Sequence, residues 1–335
     1  MHLHAPAPHA EADMKIASIR TSETVVHQRF PAAITPRAPF HALLRAVAWL
    51  KTCDARLYQI VFLAALLTIG VLARDFSLQW QQMVLTFAAG LAAQAWWTRH
   101  LQLTNMGLLS ALITCFGLSI LLRADSWWVH PLVAALAVSA KFTLRWRGKH
   151  LFNPANLGVI LAITLLPGTW ISPGQWGSDL AAALLFIALG SAVTQRARRV
   201  DTSWIFLAAF LTLMALRLWW IEVPPARIGT LVLHQLQNGA LLLFAFFMIS
   251  DPMTTPNHPG ARVFHAVAVA ALAWAWQMLL YKPAGPVWAL LLLVPLVPLL
   301  DAFFAGAKHV WQPPAAHAAA PVSAGIGRNR ANPLG

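Results

Sequence analysis

Ten apolar stretches govern what this chain can become: residues 57–73, 80–97, 105–122, 127–140, 155–171, 179–194, 203–220, 233–249, 263–281 and 287–305. An α-helix rises about 1.5 Å per residue, so a run near 20 residues matches a hydrocarbon layer about 30 Å thick. Lipid offers no hydrogen bonds to backbone N–H and C=O groups, so runs that cross it must be helical. The expectation is an all-α integral membrane protein with about ten transmembrane helices. Only 10% of the residues are charged, against roughly a quarter in soluble domains, too few to cover a water-exposed surface. Tryptophans gather at the ends of the runs, among them Trp80, Trp96, Trp97, Trp127, Trp128, Trp219 and Trp220, where an interfacial aromatic belt puts them.

The organisation follows from the same pattern. Residues 1–45 read as a disordered cytoplasmic tail, 46–310 as one polytopic transmembrane domain and 311–335 as a disordered C-terminal tail. The first forty residues are polar and broken by proline, with no apolar core of a cleavable signal peptide, so the first span is expected to direct insertion. His2, His4 and His9 fall in that tail and read as solvated side chains rather than metal ligands. The formal net charge of +13 would suggest nucleic acid in a soluble protein. Here the cations sit in short loops between apolar runs, so the lipid bilayer is the expected partner and nucleic acid is not. One set of alternate loops carries Arg99, the group Lys141, Arg145, Arg147 and Lys149, the group Arg196, Arg198 and Arg199, and Arg262; the other set carries fewer cations. By the positive-inside rule both termini are cytoplasmic, in a bacterial cytoplasmic (inner) membrane.

Three polar motifs interrupt this pattern. In Phe152-Asn153-Pro154-Ala155-Asn156, asparagine suits an N-cap and proline the first helical position, which aims free N–H groups at the basic loop before them. In Ser250-Asp251-Pro252-Met253-Thr254-Thr255-Pro256, Asp251 can cap the next turn, and the threonines add uncharged hydroxyls. In Pro298-Leu299-Leu300-Asp301 a carboxylate ends an apolar run, where an acidic group is costly and marks an ion or substrate pathway. Each also has a plain structural reading, as a capped helix, a rigid connector or a solvated helix end. His234 and His265 read as packing residues inside helices. Two cysteines, Cys53 and Cys115, offer neither iron–sulfur nor zinc spacing, and no triad, Walker loop or dinucleotide fingerprint is present. No catalytic site standing alone is expected.

In order, FNPAN at 152–156, FMISDPMTTP at 247–256 and PLLDAF at 298–303 resemble the membrane subunits of sodium-pumping NADH:quinone reductases and Rnf electron-transport complexes, the NqrB/RnfD family. KFTLRWRGKHLFNPANLG at 141–158 resembles more closely still a divergent UnbU-like branch found in enediyne clusters. The resemblance implies an inverted-repeat bundle like that of urea transporters, partner redox or transport subunits, and electron transfer coupled to ion movement. It implies a non-covalent flavin, riboflavin or FMN, at Phe152, Asn153, Pro154, Asn156, Asp251, Pro252, Thr254 and Thr255, with Asp301 on the ion pathway. The family's outer loop carries a Ser/Thr-Gly-Ala-Thr site for covalent FMN. Here the corresponding stretch reads PGTWISPGQWGSD at 167–179, and Gly190 to Thr194 matches only loosely, so covalent FMN is not expected. The rival from another class is a channel or transporter that moves a small solute or ion without redox chemistry.

Overall fold

The computed structural model describes residues 54–73, 79–172 and 180–309. Cys53, the histidines of the N-terminal tail, the C-terminal tail beyond 309 and residues 173–179 of the 167–179 loop lie outside the described residues. The helices are α1 (Ala55–Ala73), α2 (Trp80–His100), α3 (Leu108–Leu121), α4 (Val129–Thr143), α5 (Pro154–Leu165), α6 (Leu180–Arg196) and α7 (Val200–Trp220). They continue as α8 (Pro225–Leu236), α9 (Gly239–Leu243, prolonged by a π-helical turn over Phe244–Met248), α10 (Pro259–Met278), α11 (Gly285–Leu292) and α12 (Leu296–Phe303). Every apolar run of the sequence thus contains a helix.

The outer face is apolar. Leu72 and Trp220 are 80% and 79% exposed, and Val61, Leu165 and Trp219 follow them; in water such a surface would aggregate, whereas lipid accepts it. Two helices, residues 55–72 and 200–220, are long and apolar enough to cross a membrane alone. Two bent pairs, α8 with α9 at 57° and α11 with α12 at 51°, reach that length only together. The breaks have local causes. Asn238 caps α9 with its side chain, accepting from the N–H groups of Ala240 and Leu241, and Pro295 precedes α12.

Three expectations needed correction. The run 155–171 is helical only to Leu165; Pro167 and Gly168 turn the chain, and Thr169–Ile171 becomes a strand, β4. Gly168 holds φ +65° against the Asp125 side chain, where an added Cβ would sit 2.7 Å from a carboxylate oxygen. β4 pairs antiparallel with β1 (Leu122–Ala124), matching Leu122 to Ile171 and Ala124 to Thr169, so the chain is not purely helical. A second short pairing joins β2 (Arg145–Trp146) to β3 (Lys149–His150). His234, which the sequence suggests as a packing residue, is exposed on α8.

Helices α2 and α4 pack together, as do α7 and α10, and α1 lies against α3 while α6 lies against α9. The core between them is aromatic: Phe62 stacks on Phe247 at 4.8 Å and meets Phe186 edge-on at 5.7 Å, and Phe206 lies 4.9 Å from Phe244. Gly190 on α6 permits a close approach to this core, since a Cβ there would stand 2.6 Å from the Phe246 ring.

Candidate functional site

The Asn153 motif folds as its residue types dictate. Asn153 is the N-cap of α5, its Oδ1 accepting from Asn156 N at 3.1 Å, and Pro154 occupies the first turn, where its missing N–H costs nothing. Asn153 Nδ2 is left free to point outward, and it reaches Asp251 Oδ2 at 3.4 Å. Two motifs 98 residues apart therefore meet, with a carboxylate beside the positive end of a helix. Asn156 turns instead into the bundle, donating Nδ2 to Val287 O at 3.1 Å on α11.

Asp251 caps the next turn, as its residue type before a proline suggests, without starting a helix. It organises a tight turn: Oδ1 accepts Met253 N at 2.9 Å, and its carbonyl accepts Thr254 N at 3.1 Å and Thr255 Oγ1 at 3.0 Å. Pro252 and Pro256 stiffen the turn. Burial pushes the Asp251 carboxyl above its usual range, while the Met253 N–H and the charges of Arg199, Lys141 and Lys149 pull the other way. Arg199, at the short α6–α7 connection, donates Nε to Thr255 Oγ1 at 2.9 Å, which fixes the turn from the far side.

Asp301 joins the same region from the end of the chain. Its Oδ2 accepts Lys149 Nζ at 2.8 Å and its Oδ1 accepts Asn257 N at 2.7 Å. Lys149 Nζ also donates to the Thr255 carbonyl and to Asn257 Oδ1 at 3.2 Å. Burial draws the Lys149 ammonium below its usual range, and the Asp301 carboxylate works against that. Arg262 adds a clamp, donating to Asp201 Oδ2 at 2.8 Å and to Asn257 O at 2.9 Å.

Beside these contacts a cavity of about 300 Å³ opens between α1, α2, α3, α4, α6 and the π-helical turn. Asn153, Pro154, Asp251 and Pro252 line it; Phe152, Asn156, Thr254, Thr255 and Asp301 do not. Leu243, Phe246, Phe247 and Met248 give it an apolar wall, and the π-helical turn that presents the last three is a feature common at functional sites. Lys141, Gln94 and His150 also line it; Lys141 and His150 fall in the 141–158 stretch but are not among the site residues the resemblance implies, and no motif holds Gln94. Lys141 reads in sequence as a loop cation; it lies in the last turn of α4, 4% exposed, with Nζ donating to Gln94 Oε1 at 2.9 Å. Burial, then the charges of Lys141 and Arg145, pushes His150 down to about 4, so its imidazole is neutral at neutral pH. Thr194, of the loosely matching Gly190–Thr194 stretch, lies within α6 and spends its hydroxyl on Gly190 O at 2.9 Å. Among the described residues no group of three or more His, Cys, Asp or Glu side chains is placed to hold a metal ion.

Comparison with known proteins bears on this site directly. Residues 174–309 match the NQR2, RnfD, RnfE family, a stretch holding the Asp251 turn and Asp301. The match covers less than half of this chain. The D-type subunit of the ion-translocating oxidoreductase complex of Tolumonas auensis (strain DSM 9187 / NBRC 110442 / TA 4) is 26% identical over 246 residues, covering 53% of this chain and 71% of that one. Its counterpart in Cronobacter sakazakii (strain ATCC BAA-894) is 30% identical over 159 residues, 46% of this chain and 41% of that one. The counterpart in Stutzerimonas stutzeri is 30% identical over 128 residues, 38% and 36%. In the last two the chain matches less than half of the relative's length. The family stretch begins after α5, so the Asn153 motif lies outside it and is tied to it by the Asn153–Asp251 contact.

Proposed function

We propose that this chain is the membrane subunit of an RnfD-like, ion-translocating electron-transport assembly and that its cavity holds a non-covalent flavin. One observation carries the reading: Asn153 and Asp251, from motifs far apart in sequence, border one cavity with an apolar aromatic wall. Such pockets, mostly apolar with a few convergent polar groups, suit a flat heterocycle with one polar edge, and the volume lies at the lower end of the ~300–1,000 Å³ range of small-molecule sites. A flavin supplies reversible uptake and release of electrons. The protein's own part is narrower. Asp251, fixed by Met253 N, accepts the ligand's N–H donor; Asn153, fixed as a helix cap, holds that carboxylate in place; Phe246 and Phe247 exclude water from the ring.

The pairing of α2 with α4 and of α7 with α10 supports reading residues 55–165 and 180–303 as two repeats in inverted orientation, which makes ten crossings if each bent pair counts as one. Cytoplasmic termini and an inner-membrane location follow from the loop charges. Asp301 then acts as the latch between the end of the second repeat and the Lys149 strand of the first.

Partner subunits are part of the reading, because one chain cannot carry electrons across about 30 Å of hydrocarbon without further carriers. Mild extraction of the full chain with its partners, followed by acid precipitation, tests the cofactor. Flavin absorbance should appear in the supernatant of the wild type and fall sharply for Asn153→Leu. A folded wild-type preparation without flavin in either fraction sinks the proposal, and flavin confined to the pellet sinks its non-covalent part.

A further inference from the structure

Lys141 is a buried charge that the contacts described so far do not explain. It is 4% exposed, lies on the cavity wall and donates Nζ to a neutral amide oxygen, Gln94 Oε1, at 2.9 Å. Among the described residues no carboxylate lies within salt-bridge reach of it. Gln94 is not free to adapt. Its Nε2 donates to Met106 O at 2.8 Å, while Thr98 Oγ1 donates to Gln94 O at 2.8 Å and to Met106 O at 3.3 Å. With the amide N–H₂ committed to Met106, its oxygen must face the ammonium; a flipped amide would set donor against donor. The fold has thus built a support whose effect is to hold a cation at the edge of a cavity inside an apolar bundle. A buried ammonium with so few acceptors is costly unless something brings negative charge to it.

Across the same cavity the Asp251 carboxylate is already engaged by Met253 N and Asn153 Nδ2. It does not pair with Lys141, so the lining of one cavity carries a carboxyl group and an ammonium that are not in ion-pair contact. The ligand edge that fits this arrangement carries an N–H next to carbonyl groups. A cyclic imide is such an edge, and the pyrimidine end of a flavin is one.

We infer that Lys141, aimed by Gln94, is a positioning residue that faces the N1–C2 carbonyl edge of the bound flavin and favours its reduced state. The inference rests on the flavin reading of the cavity. Uptake of two electrons and one proton by the ring leaves one negative charge, spread over that edge. A fixed ammonium there stabilises the reduced ring more than the oxidised one. Its effect is on the potential, not on whether the ring binds.

The test uses the full chain with its partner subunits in lipid nanodiscs. Flavin content is measured first, then the absorbance is followed during anaerobic titration with dithionite and redox mediators. Lys141→Gln should keep its flavin but lose about tenfold in preference for the reduced form, a potential about 30 mV more negative for a two-electron couple. Lys141→Arg should recover most of that shift. Gln94→Glu, which leaves the lysine in place but gives it an anionic partner, should move the potential in the same direction and carries the titration if Lys141→Gln accumulates poorly. A wild-type potential in both Lys141→Gln and Gln94→Glu overturns the inference, and so does a loss of thermal stability with the potential unchanged, since that makes Lys141 structural. A wild-type chain without flavin overturns the underlying reading instead, and shows it before any variant is titrated.

Discussion

The two ends of α5 solve the same problem in different ways. At its C-terminal end, the extended segments Leu122–Ala124 and Thr169–Ile171 satisfy each other's backbone groups, and Gln82 Nε2 donates to Ala124 O at 2.9 Å. Arg123 folds its guanidinium back onto carbonyls of its own neighbourhood, Ser119 O at 2.9 Å and Leu122 O at 2.8 Å. Every partner named there lies between residues 79 and 172. At its N-terminal end the partners come from across the chain: Lys149 meets Asp301 and Asn153 meets Asp251, while Arg199 braces the Asp251 turn from within the second half by its bond to Thr255. One end is local scaffolding, and the other is where the two halves of the sequence are stitched together. A ligand at the stitched end is felt by both halves, which is the position a coupling site needs.

The comparison breaks first, if it breaks, at the ion pair. The Lys149 and Asp301 side chains are only 14% and 13% exposed, so Asp301→Asn leaves an ammonium without its counter-charge and Asn257 N without its carboxylate. Removing one partner of a buried pair costs about 3–5 kcal/mol, and partial solvation here lowers the expected loss to about 2–3 kcal/mol. Thermal unfolding in nanodiscs reads it, and Lys149→Met combined with Asp301→Leu should lose less than the two single losses summed. A loss below about 0.5 kcal/mol would mean the halves are not held here. Next in size is Gly190→Ala. The new Cβ meets Phe246 Cγ at 2.6 Å, so helix α6 or the π-helical turn must shift, at about 2 kcal/mol and with weaker flavin retention. Asn153→Ala follows, with about 1 kcal/mol from the lost cap and a larger effect on flavin content than on stability.

What the sequence reveals depends on range. The cap at Asn153, the proline after it and the tight turn at Asp251 are contacts between near neighbours, and residue type announces them. That Asn153 and Asp251 touch is suggested only by shared membrane side, and no local signal pairs Lys149 with a carboxylate 152 positions later. Lys141 is misplaced by hydropathy because the apolar run stops at residue 140 while α4 continues to Thr143. A lysine ending an apolar helix looks like a loop cation until the facing Gln94 is known. The breaks at Asn238 and Pro295 are hidden inside runs that hydropathy treats as continuous. The β1–β4 pairing is invisible because three-residue strands carry no readable alternation.

The smallest effect gives the sharpest control, because it belongs to the local end. Thr169 Oγ1 donates to Leu166 O at 2.8 Å, a carbonyl just past α5 that no further helical turn reaches, and to Ala162 O at 2.9 Å, which also accepts Leu166 N. Thr169→Val keeps the shape and removes the donor, which should cost about 0.5–1.5 kcal/mol in thermal unfolding. Flavin content and potential should stay at wild-type values, since neither Thr169 nor the Ala162 and Leu166 carbonyls it serves line the cavity. If Thr169→Val instead emptied the site as Asn153→Leu is expected to, α5 would transmit strain along its length as a rigid rod. The division into a scaffolding end and a coupling end would then be wrong, and the whole helix would have to be counted as part of the site.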